Sequence, residues 1–528
     1  MRLTTPTAPT AATAAGPLRV LYVCAEVFPW LKTGGLADVS AALPPALSAL
    51  GADVRLLMPA FSAIAAGVEP QGPIIHLPAG GTHGLPHGLG PQAHTASGTA
   101  PGLQAGRLKD TGQPVWLLHA PGLYQQGLNP YQDDHGHPWA NSAERFGWLG
   151  WAAALLGSGL VPGAGWSADV VHGHDWHTGL AFGYLHALRH KGLSQATTVF
   201  TIHNLAYQGV FGAGVRAGLG LPDSLFHMQG LEYHGNVSFM KAGLVYADHI
   251  TTVSPTYAHE ITTPEQGFGL DGVLRQRRGR LHGILNGVDS SVWNPAADPL
   301  VQPGFDAEHL EGKALAKTAL QDRMGLAPRP DALLCTVVSR LTGQKGLHLV
   351  AQVADELVAR GGQLAVLGAG EPGIEQALRD AQHRHPGQVA LHVGYDEPLA
   401  HTLVAGADVI LVPSHFEPCG LTQLYGLRYG TLPLVRAVGG LADTVTDSSL
   451  ENLDDGSASG FVFTSFDAKG LHTALRRAFA LYRRPADWRT VQRHAMGLRF
   501  DWDRAAQAYL HVYRMAQTDR QHSGTPHA

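Results

Sequence analysis

The sequence predicts an α/β fold of two doubly wound domains whose parallel sheets face each other across a cleft. Apolar runs rich in valine and leucine, such as LRVLYVCAEV at 18–27 and LLCTVVSRL at 333–341, are typical of parallel strands buried on both faces. These runs alternate with helical patterns in two separate series along the chain. At 528 residues the chain is also too long for one ordinary core.

The first series begins with the strand at 18–27, continues with a helical pattern after TGG, and reaches a second strand at 52–60. Pro44 and Pro45 lie inside that helical pattern and should kink or divide the helix. A longer helical stretch covers 143–160. Further strand-like runs of this series are PVWLLHAP (114–121), ADVVHGH (168–174), TTVFTIHN (197–204) and ADHITTVSP (247–255).

The second series runs from residue 333, and an amphipathic helix at 501–516 ends it. Its strand-like runs after the first are GQLAVLGAG (362–370), VALHVGY (389–395), ADVILVPS (407–414), TLPLVRAVGG (431–440) and GFVF (460–463). The domains that we expect are a first domain at 18–287, a second at 288–498, a helical segment at 499–517, and disordered tails at 1–17 and 518–528.

Composition restricts the classes of partner. Hydrophobic residues make up 45% of the chain and charged residues 15%, which is the composition of a globular protein. The formal charge of -5 predicts no general attraction to nucleic acid or anionic lipid. The three cysteines lie far apart, so we expect no disulfide framework and a reducing, cytoplasmic location. No apolar run is long enough to span a bilayer, so we expect no membrane partner.

Polar residues that follow strands are the candidate ligand groups, because parallel strands point their carboxyl ends at such a cleft. In LKTGGLADV, Gly34 and Gly35 precede a helix whose free N–H groups can hold a phosphate, and Lys32 adds a positive charge. In VVSRLTGQKGLHLV, Arg340 follows a strand and Lys345 precedes a helix, which favours diphosphate binding. Tight turns with solvated surface cations are the alternative for both patterns.

The segment HGHDWH at 172–177 resembles a zinc cluster, since three histidines and Asp175 follow a strand. Its order differs from the familiar His-x-His-x-Asp-His order of hydrolases, and such a site needs further ligands from elsewhere. Hydrogen bonding to a polyhydroxyl ligand is the favoured interpretation, and no metal site is predicted. FTIHNLAYQG places His203 and Asn204 at the end of the next strand, where they would face the cleft.

The segment HFEPCGLTQLYG follows the strand at 407–414. Glu417 can accept hydrogen bonds from sugar hydroxyls, and the residues after Pro418 can present consecutive N–H groups at a helix start. A helix dipole would favour a reactive thiolate at Cys419, but no partner arrangement supports a thiol hydrolase. We therefore favour donor binding over nucleophilic catalysis, and expect alkylation of the Cys419 thiol to block the site.

A dinucleotide-binding oxidoreductase is a competing class. Gly368, Gly370 and Gly373 match G-x-G-x-x-G after a strand, and Asp396 lies where a ribose-binding acid would be sought. Pro372 removes an N–H donor beside the third glycine, and the motif falls on the second strand of its domain instead of the first. A non-catalytic glucan-binding protein is the other alternative.

Seven strings of this chain resemble, in the same order, those of the bacterial glycogen synthases and plant starch synthases. The strings are KTGGLADV, HDWH, HNLAYQG, SPTYAHEI, GILNGVD, SRLTGQKG and FEPCGLTQLYG, and the resemblance covers Leu18 to about Met515. It implies the GT-B glycosyltransferase architecture, with two Rossmann-like domains, a glucan acceptor side at 18–287, a nucleotide-sugar side at 288–498, and a last helix that returns to the first domain. The wider clan often has a second glutamate where this chain has Tyr425.

The resemblance also implies the reaction and the roles of single residues. A hexosyltransferase of this family transfers glucose from ADP-glucose, with UDP-glucose the less favoured donor, to the non-reducing end of an α-1,4-glucan such as glycogen, with retention and without a cofactor. The residues implied as catalytic are Arg340, Lys345, Glu417, His203 and Asp175. Those implied in donor binding are Lys32, Gly34, Gly35, Asp38, Asn286, Tyr395, Cys419, Gly420, Leu421 and Thr422. Those implied in acceptor binding are Glu26, Tyr131 and His177.

Overall fold

The structure of the protein is a computed structural model that describes residues 16–523 apart from 79, 93–99, 126, 128 and 134. It contains two α/β domains with predominantly parallel sheets, so the predicted fold class is confirmed. The strands of the first domain are β1 (Arg19–Val23), β2 (Asp53–Pro59), β3 (Val68–Pro70), β4 (Ile75–His76), β5 (Gly102–Leu108), β6 (Pro114–His119), β7 (Val170–His174), β8 (Thr197–Ile202), β9 (Val210–Gly212), β10 (Glu232–Tyr233), β11 (Asn236–Ser238), β12 (His249–Thr252) and β13 (Leu281–Gly283).

The helices of the first domain cover both faces of its sheet. They are α1 (Gly35–Ala49), α2 (Ser62–Ala66), α3 (Ser142–Gly157), α4 (Leu180–His190), α5 (Val215–Leu219), α6 (Phe239–Tyr246), α7 (Pro255–Glu260) and α8 (Asp271–Gln276). The main sheet has the order β13-β12-β8-β7-β1-β2-β6-β5-β3, with β4 paired to β5. The central strands from β13 to β6 are parallel, while β5 pairs antiparallel to β6.

The second domain has a parallel sheet with the order β16-β15-β14-β17-β18-β19. Its strands are β14 (Leu334–Val338), β15 (Gln363–Gly368), β16 (Val389–Val393), β17 (Val409–Val412), β18 (Leu432–Arg436) and β19 (Phe461–Phe463). The helices after residue 310 are α9 (Glu311–Arg323), α10 (Leu347–Ala359), α11 (Pro372–Arg384), α12 (Glu397–Gly406), α13 (Thr422–Arg428), α14 (Gly439–Thr444), α15 (Leu450–Asp454), α16 (Ala468–Tyr482), α17 (Pro485–Gly497) and α18 (Trp502–Ser523).

Each sheet is buried in its own hydrophobic core. One core spans Val20 to Ile284 and includes α18, and the other spans Val288 to Met496. The chain passes from the first domain to the second near Val288 and returns near Phe500. These two crossings lie side by side, because the N–H of Val288 donates to the carbonyl of Phe500 over 2.7 Å. The last helix therefore packs on the first domain, as predicted, where the Tyr513 hydroxyl lies 2.8 Å from His172 Nδ1.

Two local predictions need correction. Helix α1 is not divided at Pro44 and Pro45, because burial of residues on both sides of the two prolines offsets the missing hydrogen bonds, and the kink stays a prediction. Helix α18 continues to Ser523, so the predicted tail at 518–528 begins too early. Its last turns are held on the first domain, where Asp519 lies 3.1 Å from His249 Nε2. Residues 1–15 and 524–528 of the two predicted tails lie outside the described residues.

Candidate active site

A partly buried ion pair lies at the carboxyl ends of the second sheet. Lys345, between β14 and α10, contacts Glu417 with its Nζ 2.5 Å from the carboxylate. The Ser414 hydroxyl donates to the same carboxylate oxygen over 2.9 Å. The Glu417 side chain is only 7% exposed, so the lysine compensates a carboxylate that has little contact with water. Two residues predicted as catalytic are thus in direct contact.

The loop after Glu417 has backbone N–H groups that are not used within the described structure. Gly420 has φ +74°, a left-handed conformation that favours glycine, and Gln423 donates to the carbonyls of Cys419 and Gly420. Among the described residues, the N–H groups of Cys419, Gly420, Leu421 and Thr422 donate no hydrogen bond to any acceptor. This loop can therefore offer four donors to an anionic or hydroxylated ligand.

The Cys419 thiol is not placed as a nucleophile. It is buried in the core of the first domain, where the N–H of Asn286 bonds the sulfur. Burial raises the pKa of the Cys419 thiol to about 12, so it stays protonated. The expectation that alkylation of this thiol blocks the site is therefore not supported, since a buried, protonated thiol reacts slowly. The contact between Asn286 and Cys419 nevertheless joins the two domains at the site.

Glu26, which follows β1, organises the first domain's side of the cleft. It is 3% exposed and accepts hydrogen bonds from the Thr33 N–H (2.6 Å), the Thr33 hydroxyl (2.7 Å) and the Tyr131 hydroxyl (2.5 Å). The ring of His177 stacks on Tyr131 with 4.9 Å between centroids. The three residues predicted to bind the acceptor thus form one contiguous group.

Asp175 and His203 meet at the ends of the neighbouring strands β7 and β8. The Asp175 carboxylate accepts from the backbone N–H groups of His203 (2.7 Å) and Asn204 (3.3 Å). Asp175 has φ +56°, a strained conformation for a residue other than glycine. Burial raises the pKa of Asp175 to about 7, although these two N–H groups lower it, and burial lowers the pKa of His203 to about 3.

The start of α1 faces the second domain. Lys32 Nζ lies 2.9 Å from the Asp38 carboxylate, so two predicted donor-binding residues form an ion pair. A Cβ added at Gly35 would lie 3.7 Å from the side chain of Leu421, which shows how closely α1 approaches the loop after Glu417. Burial raises the pKa of Asp38, and the positive charge of Lys32 opposes that shift.

Tyr395 lies on the second domain's side of the same region. It is 72% exposed, and its hydroxyl donates to Glu397 over 2.5 Å. The negative charge of Glu397 adds to the effect of burial in raising the pKa of Asp38, so these side chains of the two domains lie near each other. An exposed aromatic ring at this position can pack on a flat ligand group.

Further contacts hold the two domains together beside these groups. The Ser254 hydroxyl donates to the carbonyl of Pro418 over 2.6 Å, and the Thr256 hydroxyl donates to Asp443 over 2.7 Å. Arg340 reaches across the cleft, with its Nη1 3.5 Å from the Tyr207 hydroxyl. The structure therefore brings the predicted residues of both domains to one interdomain site.

Sequence reasoning missed several residues of this site. Thr33, Ser414 and Tyr207 lie inside the strings KTGG, VPS and HNLAYQG. Thr33 and Ser414 contact residues nearby in the chain, Glu26 and Glu417, whereas Tyr207 contacts Arg340 of the other domain. Their presence within the motifs was a signal that could have identified them. Asp443 lies outside all of these strings, and only the packing of α7 against α14 reveals it.

The metal-like and dinucleotide-like patterns have structural roles. His172 lies between the hydroxyls of Tyr513 and Thr201, and His174 Nδ1 lies 2.9 Å from His203 Nε2. Within the described part of the chain, no three His, Cys, Asp or Glu side chains are grouped for a metal ion. Asp396, the would-be ribose acid, instead caps α12 by accepting from the Leu399 N–H. Close packing explains Gly368 and Gly370, since a Cβ would lie 1.9 Å and 2.3 Å from a backbone oxygen, whereas a Cβ at Gly373 would meet nothing within 4 Å.

Tyr425, at the position of the clan's second glutamate, is partly buried against the core of the second domain. Its ring stacks on Trp293 with 3.8 Å between centroids and 7° between planes, and Trp293 stacks in turn on His401. The position is thus filled by aromatic packing between α13, α12 and the segment that follows the first domain crossing.

Residues 19–276 match the family model of the starch synthase catalytic domain, and residues 321–494 match that of glycosyl transferases group 1. A protein named glycogen synthase from Albidiferax ferrireducens is 57% identical over 94% of this chain and 99% of its own length. The chain belongs to the glycogen synthase family. A second glycogen synthase, from Yersinia enterocolitica, is 52% identical over 94% of this chain and all of its own. Membership of the glycogen synthase family makes the protein a hexosyltransferase.

Solved structures agree with this membership of the glycogen synthase family. The catalytic domain of starch synthase IV from Arabidopsis thaliana, bound to ADP and acarbose, has a TM-score of 0.82 and 30% identity, and the match covers 96% of this chain and 100% of that one. Sucrose-phosphate synthase from Thermosynechococcus elongatus, at TM-score 0.56 and 16% identity, shares the fold. Among the described residues, no helix has the length and apolar character needed to cross a membrane.

Proposed function

We propose that the protein transfers glucose from ADP-glucose to the non-reducing end of an α-1,4-glucan, with retention at the anomeric carbon, and so elongates glycogen. The observation that carries the proposal is the Lys345–Glu417 pair beside the loop of free N–H groups, in a cleft that both domains complete. ADP in the similar Arabidopsis starch synthase supports an adenine donor, and acarbose there supports a glucan acceptor. Cytoplasmic location remains a prediction.

The chemistry follows from the charges around the cleft. A leaving diphosphate gains negative charge as the glycosidic bond breaks, and Arg340, Lys345 and Lys32 supply positive charge from both domains. Lys345 is held by Glu417, so its ammonium group is positioned before the donor binds. The free N–H groups of residues 419–422 would bind phosphate or sugar hydroxyls, and Tyr395 would pack on the base.

The remaining groups fit the transferred glucose and the acceptor. Asp175 fixes the backbone of His203, whose carbonyl would face the positive charge that develops at the anomeric carbon. Glu417 and Asn286 would contact sugar hydroxyls, and the buried carbonyl oxygen of the Asn286 side chain has no hydrogen-bond partner among the described residues. Glu26, Tyr131 and His177 would contact the acceptor end.

The purified protein, incubated with ADP-glucose and glycogen in the presence of EDTA, should lengthen the glucan and release one ADP for each glucose that it adds. Released ADP is measured by a coupled assay, and the new linkages by digestion with an exo-acting α-1,4-glucan hydrolase. UDP-glucose serves as the competing donor, and we expect it to be used less efficiently. Transfer from neither nucleotide sugar would refute the proposal, and binding of glycogen without release of nucleotide would indicate the non-catalytic alternative.

The pH dependence of turnover should report on Asp175. With a pKa of about 7, its carboxylate gains a proton as the pH falls below neutrality, and the neutral carboxyl accepts a weaker hydrogen bond from the His203 N–H. We therefore expect kcat/KM to fall below pH 7 with an apparent pKa of about 7. His203 cannot cause this limb, because its pKa is about 3. The Asp175→Asn enzyme should be slower and should not show this fall of kcat/KM below pH 7. An unchanged fall in that variant would mean that another group causes it.

A further inference from the structure

We propose that His186 and His190 form a two-ligand site for a divalent transition-metal ion, with Cu²⁺ bound more tightly than Ni²⁺ or Zn²⁺. Both residues lie in the last two turns of α4, four positions apart and therefore on one face of the helix. Their Nε2 atoms are 3.0 Å apart. This site is separate from the histidines of HGHDWH, and it departs from the prediction that the chain has no metal site.

The relative orientation of the two rings distinguishes convergence on an ion from a straight hydrogen bond. The ring centroids of His186 and His190 are 4.4 Å apart. Two other histidine pairs of this protein have nitrogens 2.9 Å apart but centroids 5.2 Å apart, namely His174–His203 and His249–His282. In those pairs the nitrogens point at each other, whereas the shorter centroid distance at α4 shows that the rings are tilted away from the line between their nitrogens, a geometry that lets both nitrogens bind one ion at a shared position.

The shared position has the dimensions of a metal site. Two imidazole nitrogens at about 2.0–2.1 Å from one ion, at an angle of about 90°, are about 3.0 Å apart, and their ring centres are about 4.7 Å apart. The observed distances of 3.0 Å and 4.4 Å are close to these values. Imidazole is a preferred ligand of Cu²⁺, Ni²⁺ and Zn²⁺, and it is neutral above its ordinary pKa of about 6.5.

The surroundings leave room for the remaining ligands. His186 and His190 line a groove of about 1260 Å³ at the amino ends of β1, β7 and β8, so water can complete the coordination. The carboxylate of Asp248, 2.7 Å from the guanidinium of the neighbouring Arg189 and 3.8 Å from that of Arg520, offsets part of the positive charge beside the site. The ring of His186 also packs on Tyr246, with 4.6 Å between centroids, which fixes the position of one ligand.

The test is a titration of the full chain, made without a polyhistidine tag, with CuSO₄ at pH 8 by calorimetry. Cu²⁺ should occupy one site more tightly than the rest, with nitrogen couplings from two imidazoles in its electron paramagnetic resonance spectrum. Removal of a group that only hydrogen-bonds to a metal ligand typically lowers metal affinity by about 10- to 100-fold. His190→Ala removes a ligand itself, so it should lower the affinity of the tight site by at least about 100-fold. His190 ends α4 and is exposed, so this change should not disturb folding.

The matched control is His383→Ala, since His383 is another exposed histidine in the last turn of a helix, α11. It should leave the tight site unchanged. Ni²⁺ should also raise the melting temperature of the wild type and of His383→Ala, but not of His190→Ala, because binding to the native state stabilises it. Unchanged Cu²⁺ affinity in His190→Ala, or equal losses in both variants, would overturn the proposal. Glucosyl transfer should be the same in all three proteins, so this result is independent of the proposed function.

Discussion

Replacing Lys345 by alanine should lower kcat by about 10²- to 10³-fold, the cost typical of removing one fixed group that stabilises developing negative charge. In the wild type the Lys345 ammonium is held 2.5 Å from Glu417, from where it would neutralise the departing diphosphate. The alanine variant lacks this charge. Glu417→Ala should also lower kcat strongly, because it removes both a contact to the sugar and the group that positions Lys345. Initial rates of ADP release at saturating ADP-glucose measure the effect.

Measurements of folding and stability show whether a loss of kcat in these variants comes from the missing side chain or from misfolded protein. Both variants should keep the circular dichroism spectrum of the wild type, because the pair lies outside both hydrophobic cores. Lys345→Ala should lower the melting temperature, since it leaves the 7% exposed Glu417 carboxylate without its partner, so kcat is compared at a temperature at which each variant is folded. The matched control is Lys469→Ala, which removes an exposed lysine from α16 in the same domain and should leave kcat unchanged. Wild-type turnover in Lys345→Ala or in Glu417→Ala would remove that residue from the site.

Replacing Asp408 by alanine should lower the free energy of unfolding by about 3–5 kcal/mol, the cost of breaking a buried ion pair from one side. Its carboxylate lies 2.7 Å from Lys317 Nζ and accepts the Leu334 N–H over 2.8 Å. The two side chains are only 12% and 8% exposed, so the remaining lysine charge would stay largely out of water. Denaturation in urea, followed by circular dichroism, measures the loss.

Two further variants test whether the unpaired charge of Lys317 causes the loss of stability in Asp408→Ala. The double change Lys317→Met with Asp408→Leu removes both charges and should recover most of the lost stability, since apolar residues often replace buried pairs at little cost. Asp331→Ala removes a 78% exposed carboxylate near the same strand and should have no measurable effect. A double variant as unstable as Asp408→Ala would show that packing or the Leu334 hydrogen bond, and not the lysine charge, dominates.

Much of the site was predictable because motifs at strand ends meet in a doubly wound fold. The strings around Lys345, Glu417, Asp175 and His203 all follow strands, and parallel strands bring their carboxyl ends to one edge of each sheet. What the strings could not show is which groups pair. Lys345 and Glu417 are 72 residues apart in the chain, and their 2.5 Å contact depends on how β14 and β17 pack in one sheet.

The state of single side chains was also beyond the sequence. Cys419 follows a strand and precedes a helix, a pattern that suits a reactive thiolate, but the core of the first domain buries it and keeps it protonated. Pro44 and Pro45 predict a break in a helix that packing holds continuous. In both cases the burial provided by distant segments outweighs a local preference.

The sequence by itself determined the α/β class and the two-domain organisation, because hydrophobic periodicity and turn residues act locally along the chain. The polar residues assigned to the cleft came from the resemblance of its motifs to those of glycogen and starch synthases. Only the tertiary structure decided the ion pair of Lys345 with Glu417, the raised pKa of Asp175 and the contact of Asn286 with the Cys419 sulfur. These features depend on distances of about 3 Å between side chains and on their removal from water, which follow only from the packing of the whole chain.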